Sequence, residues 1–477
     1  GLAVAALAPP RQLRVKAGQA SDDEGGLLGL HPDGAWVNPS CLASQSVVPR
    51  GAVILFPIAT LSAIVLFLYS DLCLATSINF VFSNNGQTLS IGPALAFSVV
   101  ICAINAYWAG AYLIAFCIGF MSILWPFIKL VLLLFAWIAP QNALNPRVRG
   151  MLLRFLDEYG KWSLIDTWLG ILALACYRLG WQSSKTDAHF YVDPVPNMPF
   201  FMFVLSSVLT LILGHVASGY HRRAEETHEL EEGNCELRSP LCAHSTGFTG
   251  AMITLGTPCI AVLIVVSAIT PCFEMVESGA LATLMLEPEN RVNKFSLVDL
   301  GLQMTRGRQG DVGLHLVQAI FFVFSLAIPI ALLLLFLVLW LLPLSHSSQN
   351  TLMEVCQAMD AWAAFDVFAV AVTVSHFEFG LFSTFLMHYN NLQQGCRLVT
   401  GYLRTECFHM ECSLTPGFGL LAVAGLLSYA APKLALGACR SALQERQERD
   451  ASCLESSSDE ADSMLSSTLS SRRTLHA

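Results

Sequence analysis

The sequence predicts an all-α, polytopic integral membrane protein of about eight transmembrane helices, arranged as two tandem four-helix repeats. Three observations predict it: the composition, the length of the apolar runs, and a duplicated set of motifs. Of 477 residues, 54% are hydrophobic and only 13% charged, with a mean hydropathy of +0.57. Soluble domains carry about 25% charged residues. A soluble core does not absorb so much apolar side chain, so the excess faces lipid.

Apolar runs of about 20 residues cross a hydrocarbon layer roughly 30 Å thick. Eight segments qualify: Gly51–Ser70, Gly110–Ala139, Ser163–Trp181, Pro199–Gly219, Ala251–Thr270, Leu314–Leu342, Ala363–Phe377 and Pro416–Leu436. They lack the polar/apolar alternation of barrel strands, and backbone groups in lipid must bond within their own segment. They therefore read as helices.

The duplication is legible in the motifs. Pro126 is followed by Trp137 and Pro140, and Pro329 by Trp340 and Pro343, all at an offset of 203 residues. Downstream, Trp162 and Asp166 match Trp362 and Asp366 at an offset of 200. The nearly uncharged stretch Ser90–Ala109 has the charged counterpart Lys294–Asp311, which cannot cross lipid. By symmetry Ser90–Ala109 is expected at the interface or packed on the bundle. The expected organisation is then an N-terminal extension (1–50), cytosolic and poorly ordered, and a first repeat (51–220). A cytosolic linker (221–248), a second repeat (249–437) and a disordered, acidic Ser-rich tail (438–477) follow.

Basic residues orient the chain. Arg147, Arg149, Arg154, Lys161, His221-Arg222-Arg223 and Lys433 to Arg449 fall on one side with eight spans, together with Arg11, Arg14, Lys16 and Arg50. That side is expected to be cytosolic, with both termini on it. The formal net charge of −9 comes mostly from the linker and tail. No basic patch interleaved with aromatics argues for nucleic acid as a partner. The chain opens on Gly1, so it reads as a fragment or processed product.

The fifteen cysteines are scattered, and those inside apolar runs, such as Cys102 or Cys117, read as small hydrophobes. Cys396, Cys407 and Cys412 share one loop on the far side, where either one disulfide or three free thiols fits. No G-x-S-x-G, H-E-x-x-H or Walker loop occurs, so no enzymatic constellation is expected.

The run Pro126-Phe-Ile-Lys129, Trp137-Ile-Ala-Pro140, Arg154-Phe-Leu and Lys161-Trp162-Ser-Leu-Ile-Asp166 resembles the paraquat-inducible protein A family. So does the second copy, Trp362-Ala-Ala-Phe-Asp366-Val-Phe368, and so does Ile269-Thr270-Pro271 at a helix end. The resemblance covers about Gly51 to Leu436. It implies a membrane subunit that handles phospholipid for transport between membranes, with an MCE-like partner on the extracytosolic side. The family also implies paired CxxC zinc ribbons, which this chain lacks. Its linker offers His228, Cys235, Cys242 and His244, but cysteines with six residues between them are wrong for a ribbon, so no metal or other cofactor is expected. A small-solute or ion transporter and a non-transporting scaffold are the alternatives.

Lys129 is the sharpest candidate for lipid binding. It lies ten residues before Ala139, roughly 15 Å deep at 1.5 Å per residue, where an ammonium costs about 2.5 kcal/mol unless paired or hydrated. It could hold a lipid phosphate, or pair with a carboxylate; its counterpart in the second repeat is Leu332. Pro126 and Pro329 kink their helices at one register and so shape a groove. Asp166 and Asp366 are expected at the cytosolic edge as first-turn carboxylates, with Trp162 and Trp362 in an interfacial belt. Arg178 and Glu378 occupy matching positions and would meet across a pseudo-twofold axis. His215 and Glu274 read as snorkelling polar residues near helix ends.

Overall fold

The computed structural model describes residues 41–45, 47–84, 87–178, 180–182, 189–226, 240–241, 247–279, 282, 291–306, 308, 310–388 and 409–473. The expected extension up to Ser40, most of the linker, Cys396 and Cys407 lie outside them. The described residues form two compact units. One lies within residues 1–230, 278–288 and 377–410, the other within 231–277, 289–376 and 411–477.

The two repeats run in the same order, except that the second shows one strand fewer among the described residues. The first runs α1 (Arg50–Leu72), β1 (Thr76–Asn84), β2 (Gln87–Phe97), α2 (Val99–Trp108), α3 (Tyr112–Ile138), α4 (Pro146–Glu158), α5 (Ile165–Cys176), β3 (Gly180–Gln182), β4 (His189–Pro196) and α6 (Met198–Glu226). The second runs α7 (Gly247–Ile269), β5 (Phe273–Ser278), β6 (Val292–Phe295), α8 (Leu297–Thr305), α9 (Val312–Leu341), α10 (His346–Trp362), α11 (Phe365–His388), β7 (His409–Leu414) and α12 (Gly417–Arg473).

Seven helical segments among the described residues are long and apolar enough to cross a membrane: Arg50–Leu72, Tyr112–Ile138, Met198–Ala224, Gly250–Ile269, Val312–Leu341, His346–Leu381 and Gly417–Arg446. The eighth expected segment is shorter than anticipated. Its helix α5 has 12 residues and is preceded by a 3-10 turn, Tyr159–Leu164, that joins it to α4. The matching stretch of the second repeat explains this. There α10 and α11 form one 36-residue segment broken only at Ala363 and Ala364, whereas the expected span began at Ala363. The polar first half, His346-Ser-Ser-Gln-Asn-Thr, hides that segment from a hydropathy reading.

Sequence-local devices set the ends. Ser98, Asp311 and Ser345 each accept a hydrogen bond from a first-turn N–H of the helix they precede, and Ser296 with Asp299 forms a full capping box on α8. Asn145 caps α4, whose first residue is Pro146. Pro140 and Pro343, both exposed, follow the ends of α3 and α9, where a residue without an N–H no longer costs a helical bond.

Ser90–Ala109 is indeed no span: it supplies β2 and the short helix α2. Strands were not legible from hydropathy. Strands β1 to β4 form an antiparallel sheet of order β2-β1-β4-β3, with Thr76 opposite Phe97 and Pro196. The second repeat builds a smaller sheet of order β6-β5-β7. The alternation Ile78, Phe80, Phe82 has the period of two that a strand requires, but it is short and lies between membrane helices. The expected disordered tail also differs. Helix α12 continues to Arg473, since no Gly or Pro interrupts Ala438–Arg473 and Ala, Leu, Glu, Gln and Arg favour helix.

Inward faces pack aromatic on aliphatic. Phe56 of α1 stacks on Trp137 of α3 with ring centroids 4.1 Å apart, beside Leu130, Leu133 and Phe203. Trp340, the duplicate of Trp137, is as deeply buried, against Leu339, Cys439 and Leu443. The outward faces are equally apolar: Ile54, Leu61 and Val65 on α1, Val131 and Phe135 on α3, Leu255 and Val262 on α7 are exposed. A helix apolar all round belongs in lipid.

Glu277 of β5 is 3% exposed, and its Oε1 accepts from the Asn293 amide at 3.3 Å. Burial lifts its carboxyl from 4.5 to about 7, against the pull of the Asn293 hydrogen bond. Since the folded form holds its proton to higher pH, the stabilisation is complete below about pH 4.5 and is lost as pH rises through 7. Glu277→Gln is therefore expected to match wild type at pH 5 and to exceed it by about 3 kcal/mol at pH 8, read from thermal unfolding. An equal pH slope in both proteins contradicts this account.

Candidate functional site

The two prolines sit in equivalent devices. The α3 helix opens into a π segment, Cys117–Leu124, directly before Pro126; α9 does so at Val323–Ala327 before Pro329. A proline removes an N–H and crowds the carbonyl four residues back, and the wider π turn makes room for it. Pro126 and Pro329 are buried, each at the start of the α-helical half.

One turn beyond Pro126, the Lys129 side chain is 0% exposed and turned into the bundle. Its ammonium lies against Gly160 of the 3-10 turn: a Cβ there would come within 2.5 Å of Nζ. A Cβ on Gly214 of α6 would stand 4.0 Å from Nζ and 3.8 Å from Oδ1 of Asp157. The two glycines thus leave the room that the cation occupies. Asp157, from α4, attracts the ammonium without hydrogen-bonding to it, and Nζ has no hydrogen-bond partner among the described residues. On the other side Asp157 faces His215 of α6, with Oδ2 3.7 Å from Nδ1. Three helices far apart in sequence therefore converge on one buried cation. Only Lys129 was legible in the sequence; His215 read as a snorkelling residue, and Asp157, Gly160 and Gly214 carried no local signal.

An ammonium offers three donors. With none of them bonded to protein, the group suits an anionic oxygen such as a phosphodiester, and a water-poor setting strengthens the attraction. Gly160→Ala is expected to drive the ammonium from its place and to cost about 1–3 kcal/mol of stability, measured by thermal unfolding. A variant as stable as wild type means that the space is not filled as described.

The other expected residues fall as follows. Trp137 and Trp340 are core residues. Trp162 lies half-buried in the 3-10 turn, and Trp362 ends α10 and stacks on Phe324 at 6.0 Å. Asp166 and Asp366 begin α5 and α11: Asp366 follows the break inside the 36-residue segment His346–Leu381, and Asp166 follows the corresponding 3-10 turn. Hydropathy placed the helix start there because the residues before the break are polar. Asp366 Oδ1 accepts the Val367 N–H at 3.0 Å. Glu378 has a defined task, accepting the N–H groups of Leu113 (2.7 Å) and Ile114 (2.5 Å) at the start of α3. A carboxylate there also meets the positive end of the helix dipole. Arg178 lies half-buried just past α5. Cys412 is buried in β7 as a free thiol. Among the described residues no group of three or more His, Cys, Asp or Glu side chains is arranged to hold a metal ion.

No curated relative and no solved structure matches the chain. The Paraquat-inducible protein A family (PqiA) matches it over residues 58–218 and 308–395, just over half of its length. One matched segment lies in each repeat, and the first contains Lys129, Asp157, Gly160 and His215. On that match, and on the duplicated architecture, the chain is a multi-pass membrane protein belonging to the paraquat-inducible protein A family.

Proposed function

We propose that this protein is a membrane-embedded subunit that takes up phospholipid for transport between membranes, handing it to a partner protein on the extracytosolic side. The observation that carries the reading is the Lys129 ammonium, buried in the bundle, next to two glycines and with its donors unused. A phospholipid brings an anionic phosphodiester for the ammonium and acyl chains for the apolar helix faces around it. Family membership supports a place in a lipid-handling system, and the extramembrane sheets offer a surface on which a partner can dock. The Lys/Arg distribution supports cytosolic termini.

Native mass spectrometry of the full chain, released gently from detergent, tests the reading. Bound phospholipid of anionic or zwitterionic headgroup, one or few per chain, is the expected result. A folded chain that carries no lipid but still captures an extracytosolic partner would identify a scaffold instead.

A further inference from the structure

Unit 1 holds a second buried polar group, distinct from Lys129. Asp71, in the last turn of α1, is 3% exposed, and neither of its carboxylate oxygens has a hydrogen-bond partner among the described residues. Asp166, in the first turn of α5, acts on it electrostatically. Between the helices that carry these carboxylates, α2 packs on α1 and on the π segment of α3, and that segment packs on α5. From the π segment Ser122, 0% exposed, faces Asp166 with a hydroxyl that makes no well-formed hydrogen bond. The other titratable groups acting here are Cys102 of α2 and Cys117 of the π segment. Asn105, three residues along α2 from Cys102, is buried with its amide nitrogen unbonded.

Buried polar groups in native proteins are almost always bonded, because an unsatisfied one costs its full desolvation. Among the described residues the unsatisfied atoms here are the Asp71 carboxylate oxygens, the Ser122 hydroxyl and the Asn105 amide nitrogen. The charge of the two carboxylates excludes a phosphate or any other anion. Hard oxygen donors suit a small hard cation, and two carboxylates that act on each other equally suit a shared proton.

We propose that Asp71, Asp166 and Ser122 form an intramembrane binding site for a small cation, either Na+ or a proton. The site is complete in the first repeat only. Ser325 and Asp366 stand at the positions of Ser122 and Asp166. Ser70 and Ser267 align α1 with α7, each donating to the carbonyl three residues back; that register puts Ala268 where Asp71 would be. The proposal does not depend on what the Lys129 site holds.

The test uses the full chain in detergent. Thermal unfolding is followed in NaCl against choline chloride at equal ionic strength and pH 8, and in choline between pH 8 and 5.5. A Tm several degrees higher in Na+ identifies sodium, and a rise on acidification alone identifies the proton. In either case Asp71→Asn and Asp166→Asn should remove the response. Glu277 contributes an acid response of its own, so the readout is the part that the Asn variants lose. A Tm indifferent to both ions overturns the proposal, as does a response undiminished in both variants. Wild-type protein alone gives a second reading through carbodiimide labelling and peptide mass spectrometry. Modification of Asp71 or Asp166 at pH 6, suppressed by Na+ for a sodium site or only by raised pH for a proton site, is expected. Absence of label on both peptides at every pH overturns the proposal without any variant.

Discussion

Lys129→Leu is expected to abolish retention of phospholipid while leaving the fold intact or firmer. Leucine already stands at this register in the second repeat, as Leu332, fully packed against Phe336 and Cys356. The substitution removes an ammonium whose place in a membrane interior costs roughly 2.5–3.5 kcal/mol, so unfolding stability should rise, by up to about 2 kcal/mol after the loss of its attraction to Asp157. Lipid affinity moves the other way. One charge-assisted hydrogen bond is worth about 1.5–3 kcal/mol, which corresponds to a loss of at least about tenfold. Native mass spectrometry and thermal unfolding on the same preparation separate the cases. Undiminished lipid in the variant removes the headgroup site. A collapsed variant identifies a purely structural Lys129–Asp157 pair.

Arg446→Ala is expected to cost about 3 kcal/mol. The guanidinium is 1% exposed, and its Nη1 donates to Oε1 of Gln349 at 2.7 Å and more loosely to the Leu344 carbonyl at 3.5 Å. It therefore fastens α12 to the turn between α9 and α10. The first repeat meets the same need differently. Arg149 of α4, at the register of Gln349, is equally buried, and its Nη2 donates to the Ala139 carbonyl at 2.6 Å. Lysine should not rescue either site, because an ammonium cannot reproduce the planar fork. Chemical unfolding of Arg446→Ala, Gln349→Ala and the double variant measures the link, with a coupling of about 1.5–3 kcal/mol expected. Additive losses would show that the two side chains merely share a neighbourhood.

Hydropathy and the motif spacing made the architecture legible: seven of the eight expected crossings, in two copies, with the prolines and the buried tryptophans at one register. Lys129 was legible for the same reason, since an ammonium inside an apolar run has few ways to be satisfied. Its surroundings were not, because Asp157, Gly160, Gly214 and His215 meet only through packing of helices 28 to 86 residues away in the chain. Asp71 escaped notice because the apolar run was taken to end at Ser70, one residue short; the helix runs on to Leu72. The strands escaped because short alternations next to membrane helices resemble loops. The start of α10 escaped because a polar helical turn carries no hydropathy signal.

The π segments have a consequence for how side chains are phased along α3 and α9. Each residue of an α-helix advances the side-chain direction by about 100°, and a π turn lodges one residue more per turn. In α3 the residues before Cys117 are thereby turned relative to those after Leu124; Ser122, within the π segment, addresses Asp166, and Lys129, beyond it, addresses Gly160. A straight helix of the same composition would have to choose one of these azimuths. Losing a single residue such as Gly119 would remove the offset and swing the leading half of the helix about its own axis relative to the half that carries Lys129.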